Sequence, residues 1–339
     1  MHPPSFRALS GPARFRRLRR CAQAALPAWF DMPRAVRLVP LTHWENATWR
    51  VEVDGQRFLL RVHRVGYRTR PEISAELAWL DKLAEAGIPS SRPIATRSGE
   101  RVVSTDLPGI PGPRFCTLLS WCPGRIHRRP QPHHLRRTGA LMARLHAVAD
   151  LHRNIGPRPR FDPTGWFKPA FPTGEPDIDQ AIDAELRPLL QAAGERAAEL
   201  FDTLGSGVGR TGLIHADLHF NNVVFHQGTA APIDFDDCGI GPYVYDLAIP
   251  AMRVQRCADP EGCWDALVAG YRSLRPLSDA DLKVVWELTA LQMPGLLGYI
   301  AARWPDPEVV SLLPRALAQA KKALTAWADG APRPFEGVV

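Results

Sequence analysis

The sequence predicts an α+β chain in two unequal parts, a small antiparallel β unit followed by a larger, mainly helical one. Three observations predict it. Residues 36–62 alternate apolar and polar side chains on either side of Asp54 and Gly55. Amphipathic patterns of helical period begin at Pro71 and recur toward the C-terminus. Two short apolar runs, 223–225 and 231–233, flank Gln227 and Gly228 inside the helical part and read as a hairpin. A chain of 339 residues can bury one large core, or two lobes sharing a cleft.

Residues 36–41, 47–53 and 56–62 read as strands. Asp-Gly between the last two is a strong hairpin signal, because a two-residue turn needs positive φ at both positions. Residues 71–87 read as a helix with Ile73, Leu77, Leu80 and Leu83 on one face. Residues 102–104 and 115–121 complete a five-stranded sheet. Residues 125–134, rich in Pro and Arg, read as a connecting loop before a helix striped by Leu141, Leu145 and Val148. Residues 156–176 carry Phe161, Trp166, Phe167 and Phe171, and either fold over an acceptor site or brace the larger unit. Residues 177–204 read as one helix. Beyond Asp246 the chain reads as helices broken at Pro260, Pro276, Pro294 and Pro305.

No apolar run approaches the ~18 residues that span a bilayer, so no membrane partner is expected. The six cysteines form no C-x-x-C pair, and reduced, buried thiols in a cytoplasmic protein are the expectation. The net charge of +7 is uneven: residues 1–159 hold 27 Lys and Arg against 11 Asp and Glu, and residues 160–339 hold 15 against 24. Only five of the 42 basic residues are Lys, which fits an arginine-rich composition as well as a phosphate-facing half. The basic residues are not interleaved with aromatics in a nucleic-acid motif, so no nucleic-acid partner is expected. Arg14, Arg16, Arg17, Arg19 and Arg20 precede an apolar stretch that Pro27 cuts short. That reads as a basic surface helix packed beside the small β unit, rather than a secretory signal.

The chemistry concentrates between residues 213 and 237. Asp217, Asn222 and Asp234 stand around the short hairpin, with Asn222 and Asp234 at adjacent strand ends. Phosphoryl transfer from a metal-bound nucleotide needs this minimum: one carboxylate to orient the attacking hydroxyl and two oxygen ligands for Mg²⁺. His215-x-Asp217-x-His219 also spells a possible zinc or iron site, although no further His or Cys stands at a matching spacing. Gly207-x-Gly209-x-x-Gly212 precedes a strand instead of opening a helix, and so fails the context of a dinucleotide site.

His215-x-Asp217-x-x-x-x-Asn222, followed by Ile233-Asp234-Phe235, Gly239-Ile-Gly-Pro242 and Tyr245-Asp-Leu-Ala248, resembles the aminoglycoside phosphotransferase and choline kinase superfamily. The string from Ile233 to Pro242 looks most like the branch of stress-response Ser/Thr kinases and homoserine-kinase-like enzymes. The resemblance implies a two-lobed protein-kinase-like fold and ATP- and Mg²⁺-dependent transfer of the γ-phosphoryl group to a hydroxyl acceptor, tilted toward a protein Ser/Thr. A small-molecule acceptor (homoserine, an aminoglycoside or another alcohol) and an inactive nucleotide-binding pseudokinase are the alternatives. By the resemblance Asp217 is the catalytic base, Asn222 and Asp234 hold the metal, His215 braces the loop and Asp246 anchors it. Asp236 adds charge or caps a turn. Arg61 and Glu76 fall where kinases pair a phosphate-gripping lysine with a helix glutamate, with Arg a departure, and a surface Arg on an edge strand is the other reading. Asn46, in the loop 45–48 that replaces a Gly-rich loop, would cover phosphates. Ser120 and Cys122, in a hinge-like stretch, would bind adenine. The expected division is a basic extension (1–35), a nucleotide-binding lobe (36–121) and a catalytic and acceptor-binding lobe (122–339).

Overall fold

A computed structural model describes residues 6, 9–31, 35–42, 46–168, 171–205 and 207–330, with the side chains of Pro307 and Glu308 excepted. Glu45 of the expected phosphate-covering loop lies outside them. The chain divides into two compact units, residues 1–123 with 154–157, and residues 124–153 with 158–339.

The first unit opens with helix α1 (Gly11–Ala25). Strands β1 (Arg37–Thr42), β2 (Ala47–Val53) and β3 (Gln56–Val62), helix α2 (Arg70–Glu85), and strands β4 (Val103–Thr105) and β5 (Arg114–Ser120) follow. The five strands form one antiparallel sheet in the order β1-β2-β3-β5-β4. Asp54 (φ 50°) and Gly55 (φ 76°) make the turn that Asp-Gly predicts, and Val53 pairs with Gln56. Side chains alternate between the two faces, so each face has its own cover. Trp49, Val51, Leu60, Val62 and Leu118 share a core with Cys21, Ala22, Ala25, Leu26 and Trp29 of the N-terminal segment. Phe15 stacks on Trp49 with ring centroids 4.7 Å apart. The basic helix is therefore a structural layer, with Arg16, Arg19 and Arg20 outside and Cys21, Ala22 and Ala25 in the core it shares with the sheet. Arg61, one residue from Leu60 and Val62, belongs to the opposite face.

Helix α2 starts with a capping box, in which the Thr69 hydroxyl accepts from the Glu72 N–H and the Glu72 carboxylate accepts from the Thr69 N–H. It buries Ile73, Glu76, Leu77, Leu80 and Leu83, the expected stripe plus one carboxylate.

The second unit begins with α3 (Pro132–Leu151), which starts inside the stretch 125–134 expected as a loop. The His134 ring accepts from the Gln131 N–H and closes that helix start. The single helix expected over 177–204 is two, α4 (Pro176–Ala181) and α5 (Leu186–Leu204). Asp183 interrupts it, because its carboxylate accepts from the Glu185 and Leu186 N–H groups and begins a new helix. Strand β6 (Thr211–Ile214) is followed by β7 (Val223–His226), β8 (Thr229–Pro232) and β9 (Gly239–Pro242). Strands β7 and β8 form the predicted hairpin, with Gln227 (φ 46°) and Gly228 (φ 79°) in its turn. The pairing of β6 with β9 was not anticipated. Helices α6 (Tyr243–Ala251), α7 (Pro260–Arg272), α8 (Asp279–Leu291), α9 (Met293–Ala302), α10 (Pro307–Val310) and α11 (Leu313–Ala328) complete the unit.

Helices α3 and α7 touch backbone to backbone: a Cβ on Gly139 would lie 2.0 Å from the Leu267 carbonyl oxygen, and one on Gly270 would lie 1.9 Å from that of Arg136. Of the two readings of 156–176, the brace is what the second unit shows. Phe161 and Phe167 are buried against Tyr245, with ring centroids 5.3 and 5.2 Å apart. Among the described residues no helix is long and apolar enough to cross a membrane, and no cysteine is disulfide-bonded.

Candidate active site

The loop after β6 is held from behind. Asp246, fully buried in the first turn of α6, accepts from the His215 N–H at 2.9 Å and the Ala216 N–H at 2.7 Å. Its Oδ2 also accepts from Nε2 of buried His146, 3.0 Å away, and the other ring nitrogen of His146 accepts from the Tyr271 hydroxyl at 2.9 Å. Burial alone would raise the Asp246 pKa. The His146 contact and the backbone donors outweigh it and hold the carboxyl below its ordinary value. Ala216 has a φ of 65°, a left-handed conformation uncommon for a residue with a Cβ, which the two bonds to Asp246 enforce.

His215 bridges loop and hairpin. Its Nε2–H donates to the Ile233 carbonyl at 3.1 Å, and its ring lies 4.5 Å from that of Phe235. Asn222 locks the loop to itself, because its Nδ2 donates to both the backbone oxygen and Oδ2 of Asp217, each at 2.9 Å. With its amide nitrogen turned to Asp217, Asn222 keeps its side-chain carbonyl oxygen as an atom that could hold a metal. The Ile233 N–H donates to the Asn222 backbone oxygen at 2.9 Å, bringing the neighbouring Asp234 (φ 65°) to the same hairpin end.

The Asp217 carboxylate is packed on its protein side and open on the other, with the side chain 37% exposed. Burial, then the charges of Asp237 and Asp234, raise its pKa well above the usual carboxylate value, while Arg253 and the Asn222 amide oppose them. Oxygen donors gathered under mutual repulsion suit a hard dication, and one carboxylate with one amide oxygen is a donor set that Mg²⁺ completes with phosphate and water. Among the described residues no group of three or more His, Cys, Asp or Glu side chains is placed to hold a metal, so the zinc or iron reading of His215, Asp217 and His219 gains no support. Burial, then nearby Arg253, push His219 down to about 4, and its Nδ1 accepts from the Asn221 N–H at 3.2 Å.

Sequence reasoning missed two arginines. Arg158 is buried and donates to the backbone oxygens of Phe235, Asp236 and Cys238, stapling the segment after Asp234; buried Asp236 lies within that staple. Arg253 follows α6 and acts electrostatically on Asp217. Neither sits in a motif, and only the fold brings them to the loop.

In the first unit, Arg61 on β3 donates from Nη1 to Glu76 Oε1 at 2.6 Å. Strand β3 lies between β2 and β5, so the edge-strand reading of Arg61 is wrong. Asn46 is buried, and its Oδ1 accepts from the Arg64 N–H at 3.0 Å. Ser120 exchanges two 2.8 Å bonds with Arg92, its hydroxyl accepting from the Arg92 N–H and its own N–H donating to the Arg92 carbonyl. Cys122 is half-buried, and burial pushes its thiol up to about 11.

Residues 37–277 match the model of the phosphotransferase enzyme family. A homoserine kinase of Phenylobacterium zucineum is 33% identical over 251 residues, which cover 70% of each chain. Among solved structures, a microcompartment-associated aminopropanol kinase superposes with a TM-score of 0.76 at 27% identity, covering 93% of this chain and 99% of its own. An amicoumacin kinase in complex with AMP-PNP and Ca²⁺ shares the fold, with a TM-score of 0.73 at 21% identity over 96% and 97% of the two chains. These names are of kinases for small molecules, so the tilt toward a stress-response protein kinase, and a protein acceptor with it, is not supported. The chain belongs to the phosphotransferase enzyme family: it has the protein-kinase-like α+β fold and is a kinase-type phosphotransferase.

Proposed function

We propose that this enzyme transfers the γ-phosphoryl group of ATP, with Mg²⁺, to the hydroxyl of a small amino alcohol or hydroxy amino acid. The observation that carries the reading is Asp217, held toward solvent by Asn222 with Asp234 at the same hairpin end. The relatives named for homoserine and aminopropanol support the acceptor class, since both compounds pair a primary or secondary alcohol with an amino group.

In this reading residues 36–121 bind the nucleotide and residues 122–339 supply the catalytic and acceptor-binding groups. Asp217 accepts the proton of the acceptor hydroxyl as its oxygen bonds to the γ-phosphorus. The bond from phosphorus to the β–γ bridging oxygen breaks, and ADP leaves with that electron pair. Asn222 and Asp234 would hold Mg²⁺, which supplies charge neutralisation to the phosphates when bound. Arg61, oriented by Glu76, grips nucleotide phosphate through its planar fork. Asn46, Ser120 and Cys122 lie on the nucleotide side in this reading, with the Asn46 and Ser120 side-chain oxygens engaged locally. His215, Asp246 and Asp236 position the loops.

The test is ADP release with MgATP and a panel of amino alcohols and hydroxy amino acids. At least one is expected to be phosphorylated, with Asp217→Asn lowering kcat by roughly 10²–10⁴-fold. Equal turnover by Asp217→Asn would remove Asp217 as the base. Nucleotide binding without transfer to any acceptor would reject the proposed acceptor class.

A further inference from the structure

The sheet of the first unit holds a buried cation that has no counter-charge among the described residues. Arg114 opens β5, and alternation along the strand puts it on the face of Cys116 and Leu118. Both belong to the core that the N-terminal segment covers, and α1 packs on β4 and β5. Arg114 is only 4% exposed. Among the described residues its guanidinium makes no hydrogen bond and no ion pair, and its Nε is shut away from solvent without an acceptor. The Phe6 ring lies 5.5 Å from the guanidinium carbon. A ring face attracts the charge but leaves the N–H groups without the acceptors they require.

The missing counter-charge can be traced in the sequence. Residues 1–30 contain no Asp or Glu, and neither do residues 107–123. Asp106, in the connection between β4 and β5, is exposed and makes no ion pair among the described residues. Thr105, which pairs with Arg114 across the ladder, turns its hydroxyl to the Arg114 backbone oxygen at 3.4 Å. Buried Cys21 and Cys116 bring no charge either, since burial raises both thiols, Cys116 to about 12. The basic helix adds to the field: Arg17 and Arg20 donate to the carbonyl oxygens of Gly109 and Pro108, each at 3.3 Å, on the connection that leads into Arg114. A charge so placed costs the fold unless it is paired, and a guanidinium fork fits two oxygens of one oxyanion.

We infer that Arg114 is the centre of an oxyanion site against α1, and that a phosphate group is its ligand. A dianion answers the run of positive charge on α1 better than a single carboxylate does. Val62 pairs with Cys116 and Arg61 with Thr117, so Arg114 and Arg61 belong to opposite faces of the sheet. The site is therefore separate from the nucleotide phosphates assigned to Arg61, and it fills whether or not ATP is bound. Its occupant ties α1 to the β4–β5 end of the sheet.

The test follows thermal unfolding of the full chain without nucleotide, at fixed ionic strength, as chloride is exchanged for inorganic phosphate or for glycerol 3-phosphate. For the wild type the melting temperature is expected to rise by roughly 2–5 °C per tenfold increase in probe above its dissociation constant. Arg114→Met should lose most of that rise, and in chloride it should melt no lower than the wild type, because it removes an unpaired buried charge. A rise with inorganic phosphate alone identifies a free ion as the occupant, and a rise with glycerol 3-phosphate identifies a phosphate monoester. No rise in the wild type with either probe overturns the inference, and this arm needs no variant to fold. An equal rise in Arg114→Met also overturns it, since the anion then binds elsewhere. So does an Arg114→Met chain that melts well below the wild type in chloride, since the guanidinium is then satisfied within the fold.

Discussion

Arg61 Nη1 and Glu76 Oε1 lie 2.6 Å apart, with only 3% and 1% of the two side chains exposed. The pair joins β3 to α2 on the sheet face opposite α1, and Glu76 Oε2 has no hydrogen-bond partner among the described residues. Breaking such a pair from one side strands a charge in the interior. Glu76→Ala is therefore expected to cost about 3–5 kcal/mol in urea unfolding. The double variant Arg61→Met with Glu76→Leu should recover much of that loss while weakening ATP binding. A single variant as stable as the wild type would show that water reaches the pair.

Asp246 is the hub of the second unit's loop. Its removal leaves the His215 and Ala216 N–H groups and the His146 ring without their acceptor in a dry interior. Asp246→Ala is expected to destabilise the fold by about 3 kcal/mol or more and to lower kcat more than it raises KM for ATP. Denaturation and steady-state kinetics on one preparation would check this. Loss of activity without loss of stability would instead argue that Asp246 meets substrate.

Four histidines shape the response to acid. His134, His146, His215 and His219 all have pKa values lowered first by burial, His134 and His219 to about 4. The unfolded chain takes up these protons near pH 6.5, whereas in the folded chain His134 and His219 resist until about pH 4 and His146 and His215 also resist. Stability is therefore full above about 6.5 and falls as the pH drops toward 4. Melting temperatures from pH 7.5 to 4.5 should show that slope, and His134→Asn should flatten it. An unchanged slope in the variant would mean that His134 protonates in the folded protein.

The crossing of α3 and α7 tolerates no side chain at its contact point. Alanine at Gly139 would place a methyl 2.0 Å from the Leu267 oxygen, against backbone that cannot move alone. Gly139→Ala is expected to cost at least about 1–3 kcal/mol despite its better helix propensity. A chemical denaturation midpoint equal to the wild type would show that the two helices slide apart freely.

Both two-residue turns were legible in the sequence because their geometry is local: Asp54-Gly55 favours positive φ at both positions, and at the second turn Gly228 favours it while the flanking apolar runs mark Gln227 as the other turn residue. The capping box and apolar stripe that define α2 are equally local. The pairing of β6 with β9 was not legible, since four-residue strands containing Gly and Pro carry almost no alternation signal. The break between α4 and α5 was missed because Asp183 suits a helix surface as readily as the turn it makes. In the candidate site, the spacing of Asp217, Asn222 and Asp234 could be read from one short segment. Arg158 and Arg253 could not, as nothing near them in the chain marks them.

The sequence alone determined the hairpins, the capped helix and the loop from His215 to Asp234, whose parts interact over at most about twenty residues. Tertiary structure decided that the basic helix α1 is a layer of the sheet's core and that Arg61 sits on a central strand facing Glu76. It also decided that Asp246 and His146 hold the loop that carries Asp217. The physical reason is range. Turn and cap preferences are set by neighbouring φ and ψ, but burial and charge pairing depend on which distant segments pack together.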